Sequence, residues 1–297
     1  MAENQKGFTL VEVLIATAIS LMIMGAIMVA YMASVKTFND VKSISDNLES
    51  KTPSIELIAR YFDRWGVGVV SQADNASCTN CPAAQRSVSI TTTNGCSDVT
   101  FYGNLYGMGF VQSVSGGAAN IVSCRLATGT NNNCYLIWRN NAIINTITGG
   151  MVDPVSVSSL SSSNADCSAL AAGTTSNVTA SSTMSTLTVQ AGDVIQRAWH
   201  TVRLYCANNS NDSNRKWLYV DLTDNSNGYC NDAQSAMPVA PVESFTATAL
   251  PVQTGCVSTT GGTACRAVNV NITFRSQTRK AGGTYDTYTT ANKTFGR

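Results

Sequence analysis

The chain has 297 residues, ten cysteines and one histidine, and its 19 Lys+Arg against 18 Asp+Glu give a net charge of +1. That length holds one or two domains with a core, and near-neutral charge removes the electrostatic case for a general nucleic-acid binder. Charged residues make up only 12%, against about 25% in an average globular domain, so Asn, Ser and Thr carry the surface polarity, and a lone His200 argues against multi-His metal sites and His-based catalysis.

Residues 1–7 read MAENQKG, and the segment 8–35, FTLVEVLIATAISLMIMGAIMVAYMASV, contains Glu12 as its only charged side chain before Lys36. As a helix at about 1.5 Å per residue it spans roughly 42 Å, more than the roughly 30 Å hydrocarbon core of a bilayer. The run is too long for a conventional secretory signal, and no A-x-A-like site closes it. Lys6 just before it favours the N-terminus inside, with everything after Lys36 outside the cytoplasm. Glu12 is the anomaly, because a carboxylate within an apolar span costs about 2.5–3.5 kcal/mol on insertion scales. One reading is that it snorkels to the headgroups. The other needs a cation at the same depth, and cleavage after Gly7 would create one, the α-amine of Phe8, on its own chain or a neighbour's.

The run Lys6-Gly7-Phe8-Thr9-Leu10-Val11-Glu12 resembles the class III signal of type IV pilins and type II secretion pseudopilins. It has a short charged leader, Gly before the cut, Phe after it and Glu at the fifth mature position. The resemblance implies that a prepilin peptidase cuts between Gly7 and Phe8 and N-methylates Phe8. It also implies that Glu12 neutralises the N-terminus of an adjacent subunit during assembly. The implied partners are that peptidase, the major pilin and other minor pilins, the inner-membrane assembly platform and the membrane itself. The leader carries one Glu3 and one Lys6, so its removal leaves the net charge unchanged.

Residues 36–69 continue the spine as an amphipathic segment. Val41, Ile44 and Leu48, then Ile55, Ile58 and Phe62, recur three and four apart on one helical face. Such a segment packs under its own head, against other subunits, or does both on different faces. Pro53 predicts a kink or short break, with Thr52 able to cap a new helix. Gly66 and Gly68 predict the helix end. The segment 55–69, IELIARYFDRWGVGV, is similar to the stretch after the spine helix in PilW-like minor pilins.

From about residue 70 the texture becomes that of short strands separated by Asn/Ser/Gly loops. Strands are predicted at Ser87–Thr93, Val99–Tyr106, Asn120–Leu126, Cys134–Arg139, Thr186–Gln190, Thr201–Cys206, Trp217–Leu222, Val242–Leu250 and Ala267–Arg275. Residues 156–185 are nearly low-complexity and read as a long exposed loop, or as an ordered decoration pinned through Cys167. Val242–Val252 followed by Arg266–Arg275 looks like the C-terminal strand pair of the PilW-like proteins. The expected fold is therefore α+β. It has a leader over 1–7, a transmembrane and assembly helix over 8–35, an amphipathic continuation over 36–69 and an antiparallel β-rich head over 70–297.

Cys78, Cys81, Cys96, Cys124, Cys134, Cys167, Cys206, Cys230, Cys256 and Cys265 all follow the apolar span. An even number in an exported region predicts disulfides, up to five. Cys256–Cys265 is the best local pair, and Cys206–Cys230 would close the hairpin around Trp217. Cys78-Thr-Asn-Cys81 has redox or zinc spacing, but its Ser/Asn loop context favours a structural bridge. Asp221, Asp224, Asn225 and Asn227 offer oxygens to calcium, yet a polar hairpin turn explains them. No cofactor or metal is expected, and no motif supplies an enzyme's nucleophile and base near His200.

The preferred reading is a non-enzymatic minor pilin that helps initiate or cap a type IV pilus. The alternatives are a bulky, J-like type II secretion pseudopilin, or a tip adhesin built on the same architecture. The expected location is the inner membrane before assembly, then the pilus, cell surface or periplasm.

Overall fold

The structure, a computed structural model, describes residues 9–93, 95–115, 118–124, 135–153, 157–160, 175–180, 188–209, 212–224, 234–250, 266–279 and 285–296. It is α+β, one long N-terminal helix followed by antiparallel sheet. Helix α1 runs from Leu10 to Asp63. Of the kink or short break expected at Pro53, the break is absent, since α1 runs on through it. Pro53 removes one backbone donor. Around it the Ser50 hydroxyl donates to the Asp46 carbonyl at 2.9 Å and the Ser54 hydroxyl to the Ser50 carbonyl at 2.6 Å. Ile58 and Phe62 beyond the proline are buried against the head. The helix ends at an Arg64 cap, and Gly66 and Gly68 then take φ of 78° and 66°, a region that favours glycine.

The strands are β1 (Val88–Thr93), β2 (Cys96–Gly103), β3 (Met108–Ser115), β4 (Ala118–Cys124), β5 (Tyr135–Arg139), β6 (Ala142–Ile143), β7 (Ile147–Thr148), β8 (Met151–Val152), β9 (Val157–Leu160), β10 (Thr175–Ala180), β11 (Val194–Arg197), β12 (His200–Asn209), β13 (Asp212–Asp224), β14 (Gln234–Leu250), β15 (Ala267–Arg279) and β16 (Tyr285–Gly296). One sheet has the order β1-β2-β12-β13-β14-β15-β16, a second the order β6-β5-β11-β3-β4-β10-β9, and β7 and β8 form a small pair.

Several expectations are corrected. Residues 188–190 are not a strand. There the Thr188 carbonyl accepts from Arg139 at 2.6 Å and the Gln190 N–H donates to Asp193 at 2.7 Å, so side-chain bonds replace a ladder. The Val242–Leu250 strand pairs with the strand from Ala267 as anticipated, but β16 follows, so that pair does not close the chain. β14 also begins eight residues early despite Pro238 and Pro241. The register skips one residue opposite Leu218 and Tyr219, and such a bulge accommodates prolines that would break a regular ladder. The low-complexity segment contributes β9 and β10 to the second sheet. Residues 161–174, Cys167 included, lie outside the described residues.

Helix α1 packs against the first sheet through β14, β15 and β16. The Phe62 ring is stacked between Phe101 at 4.6 Å and Phe295 at 4.5 Å. Trp65 is buried beside them, its indole N–H donating to the Ser87 carbonyl at 3.2 Å. Farther up the helix, the buried Ser43 hydroxyl donates to Ser276 in β15 at 3.1 Å. The chain leaving the helix runs along the end of β2, where Gly66 N–H meets the Tyr102 carbonyl at 2.8 Å and Asn104 N–H meets the Val67 carbonyl at 2.9 Å. It then buries Val69 and Val70 with Leu136, Val152 and Trp199, and this cluster joins the two sheets.

Two disulfides lie among the described residues, Cys78–Cys81 in the loop before β1 and Cys96–Cys206 between the neighbouring strands β2 and β12. The second corrects the suggested Cys206–Cys230 pair. Spacing favoured a partner across one hairpin, whereas β12 has β2 on its other side and places Cys96 against Cys206. Cys124 stands in β4 opposite Met108. Cys134, Cys167, Cys230, Cys256 and Cys265 lie outside the described residues.

Replacing Cys96 and Cys206 together by Ala is expected to lower the stability of the chain by about 2–4 kcal/mol, read as a lower melting temperature under non-reducing conditions. A second prediction concerns Asp193, which is 2% exposed on its side chain and receives Arg139 Nε and Nη2, each at 2.7 Å. Burial pushes its carboxyl up, but the bonds from Arg139 and from the Gln190 N–H outweigh this and hold it below the ordinary carboxylate range. Such a group adds stability that is present above the unfolded pKa of about 3.9 and is lost as pH falls through the lower folded value. From about pH 5 to about pH 2, melting temperatures should therefore fall more steeply for the unaltered chain than for Asp193→Asn.

Candidate functional site

Every described residue from Thr9 to Phe38 is exposed. Large apolar side chains point outward all around this stretch, among them Leu10, Leu14, Leu21, Met24, Ile27 and Tyr31. A helix that is apolar on every side needs lipid or other apolar helices as its surroundings. Its hydropathy and length also suffice to cross a membrane. The few hydroxyls are satisfied locally: Thr17 donates to the Leu14 carbonyl, Ser20 to Ala16, Ser34 to Ala30 and Thr37 to Ala33, at 2.8–3.0 Å. These Ser and Thr donors are thereby not left open to hydrocarbon, the condition for a polar residue in such a helix.

At the top of the rod, Thr9 is the N-cap of α1 and Glu12 its third helical residue. Glu12 Oε2 accepts from the Thr9 N–H and from the Thr9 hydroxyl, both at 2.9 Å, while the Glu12 N–H donates to Thr9 Oγ1 at 3.3 Å. This reciprocal capping box satisfies backbone donors that a helix start otherwise leaves open. Neither reading of Glu12 from sequence included it, although Thr-x-x-Glu ahead of an apolar run is its signature. Both bonds fall on Oε2, so Oε1 accepts none among the described residues. An ionised carboxylate has about four acceptor positions, so Glu12 can take a cation on Oε1 without giving up the cap. Gly7 and Phe8 lie outside the described residues.

The amphipathic face divides along the helix. Val41, Ile44 and Leu48 are exposed, whereas Ile58 and Phe62 are buried and Ile55 packs against the same core. The head therefore covers the later trio and leaves the earlier one facing outward beside Phe38.

The remaining candidates are structural where they are described. Cys78 and Cys81 are joined in an irregular loop. His200 is buried in β12, its ring 5.3 Å from that of Tyr106. Asp221 and Asp224 belong to β13, while Asn225 and Asn227 lie outside the described residues.

Residues 3–28 match the family described as the prokaryotic N-terminal methylation motif. An uncharacterized protein of Aquifex aeolicus (strain VF5) is 30% identical over 278 residues, which cover 91% of this chain and 92% of that protein. No solved structure matches the chain. The matched motif covers the capping box and most of the exposed apolar rod, and fits a helix anchored in a membrane before assembly. The chain thus belongs to one family with the Aquifex aeolicus protein, and its N-terminal motif makes it a type IV pilin-like or pseudopilin protein.

Proposed function

We propose that this protein is a non-enzymatic minor pilin of a type IV pilus, of the PilW-like kind, that helps initiate or cap the filament. Glu12 carries the reading. It is an acid with one open oxygen, set at the start of a rod whose apolar surface its own chain leaves uncovered. In this scheme a prepilin peptidase cuts after Gly7 and methylates the new N-terminus at Phe8. The chain waits in the inner membrane with its N-terminus inside, and the assembly platform then moves it into the filament at the cell surface.

The transfer is feasible because lipid tails and neighbouring helices are about equally apolar, so leaving the bilayer for a helical bundle gives up little. The ion pair supplies selectivity. The α-amine of a neighbouring Phe8 meets Glu12 Oε1, and a pair in apolar surroundings fixes axial register, because any slip strands both charges. Val41, Ile44 and Leu48 extend the contact with the major pilin and other minor pilins beyond the membrane. Two seven-stranded sheets on a single helix make a head too bulky to repeat along a shaft, which favours a place at or near the tip. The same bulk suits a J-like pseudopilin of type II secretion, and the filament from which the native protein is recovered distinguishes the two.

Mass spectrometry of the native protein is expected to find a chain that begins at N-methylated Phe8. Recovery from filaments with residues 1–7 still attached would overturn the scheme. Glu12→Ala should insert into the membrane normally yet fall roughly tenfold or more in sheared filaments, as expected when one partner of a desolvated pair is removed. Undiminished recovery of that variant would refute the register mechanism.

A further inference from the structure

Away from the helix, the second sheet and the loop after α1 enclose a cleft of about 590 Å³, within the size range of small-molecule sites. Met108, Trp138, Val194 and Gln196 of its lining come from three strands in register. Trp138, Val194 and Phe110 stand directly opposite one another across β5, β11 and β3, and Leu136, Gln196 and Met108 form the next such row but one. Opposed residues share a face, and neighbouring strands lie about 4.8 Å apart, so Trp138 and Phe110 rise from one face roughly 10 Å apart. Phe110 and Met108 are both exposed.

The wall is made of amides. Asn140 and Asn141 form the two-residue turn between β5 and β6, with φ of 50° and 62°, the conformation of a tight hairpin that Asn tolerates. Gln196 is only 5% exposed, lines the cleft, and its side-chain amide makes no hydrogen bond among the described residues. Gly68 faces it, and the Gln196 amide fills the place that a Cβ there would take. The Trp138 indole N–H is likewise without a partner. Buried polar groups left unpaired are uncommon, and that indole stands at the cleft.

The charge of the lining narrows the ligand. Among the described residues the cleft is lined by no Lys, Arg or His, which disfavours phosphates, nucleic acids and acidic peptides. Its only acid is Asp74, whose Oδ2 already accepts from the Ser71 hydroxyl and from Gln85 Nε2. A purely apolar ligand would leave the amides of Gln196, Asn140 and Asn141 unpaired. A pyranose meets both demands. Its C–H face packs on an aromatic ring, and its hydroxyls donate to and accept from carboxamides, which also do both. We propose that this cleft binds a neutral mono- or disaccharide, with Trp138 under the sugar ring and Gln196, Asn140 and Asn141 on its hydroxyl edge. The inference does not depend on whether the filament is a pilus or a secretion pseudopilus.

The test uses the isotope-labelled full chain in a zwitterionic detergent that has no sugar headgroup. The neutral probes are methyl β-galactoside, lactose, maltose and diacetylchitobiose. The competing probes are a sialylated trisaccharide, an oligothymidylate and an uncharged apolar peptide, and the readout is the indole N–H resonance of Trp138. At least one neutral sugar is expected to shift that resonance saturably. Gln196→Met and Asn141→Gly should each weaken its binding about tenfold or more with an unchanged melting temperature, the glycine preserving the positive φ. The proposal is overturned if no neutral probe binds up to about 50 mM, if a competing probe binds more tightly than every neutral sugar, or if both variants bind as the parent does.

Discussion

A helix can be covered only as far as its own chain reaches, and here the head reaches Ser43 and stops. Between Thr9 and Phe38 every described residue is exposed, and nearly all are apolar. That imbalance governs the molecule. Water is a poor environment for such a rod, so lipid and other rods are its two stable surroundings, and the exchange between them is close to neutral in apolar burial. Within that rod Glu12 is the only charged side chain before Lys36. Glu12 is held at the helix start by Thr9 on one oxygen and open on the other. Capping thus leaves the lone pairs of Oε1 available.

The head compensates for sparse charge by other means. Its apolar residues form three clusters rather than one, the largest under α1 and the others in and beside the second sheet. The ion pairs it has are placed where strands or loops must be tied. Arg203 forms two close contacts with Asp98 across β12 and β2, and Arg139 clamps Asp193 and the Thr188 carbonyl. Bidentate geometry makes each such pair more directional than a point-charge contact. Cross-links replace what a more charged surface would provide through networks of pairs.

The helix and its chemistry were legible because they rest on local signals. Continuous apolar composition, Glu12 within it, and Gly66 and Gly68 past its end all act over a few residues. Strands with clear alternation, such as those around Val99, Val202 and Val268, were legible for the same reason. Pro53 does not interrupt the helix, whose Ile58 and Phe62 beyond it are held by tertiary packing. β3 was missed because Met108 and Phe110 sit on its exposed face, opposite to the usual pattern. β16 was missed because, from Thr290 to Gly296, only Ala291 and Phe295 are less than fully exposed. The partner of Cys206 was not legible at all, since it depends on which strand lies beside β12, a property of topology rather than spacing. The cleft was hidden likewise, because β5, β11 and β3 come together from separated parts of the chain.

Cys96 and Cys206 bracket the whole second sheet, because β3 through β11 lie between them. A filament subunit is pulled by its helix, and tension entering there travels through the first sheet toward the C-terminal strands. With the two sulfurs joined, that tension crosses from β2 to β12 through a covalent shortcut and bypasses the intervening backbone. The second sheet is thus a slack loop in mechanical terms, spared from stretching along that line while the rest of the head bears the load.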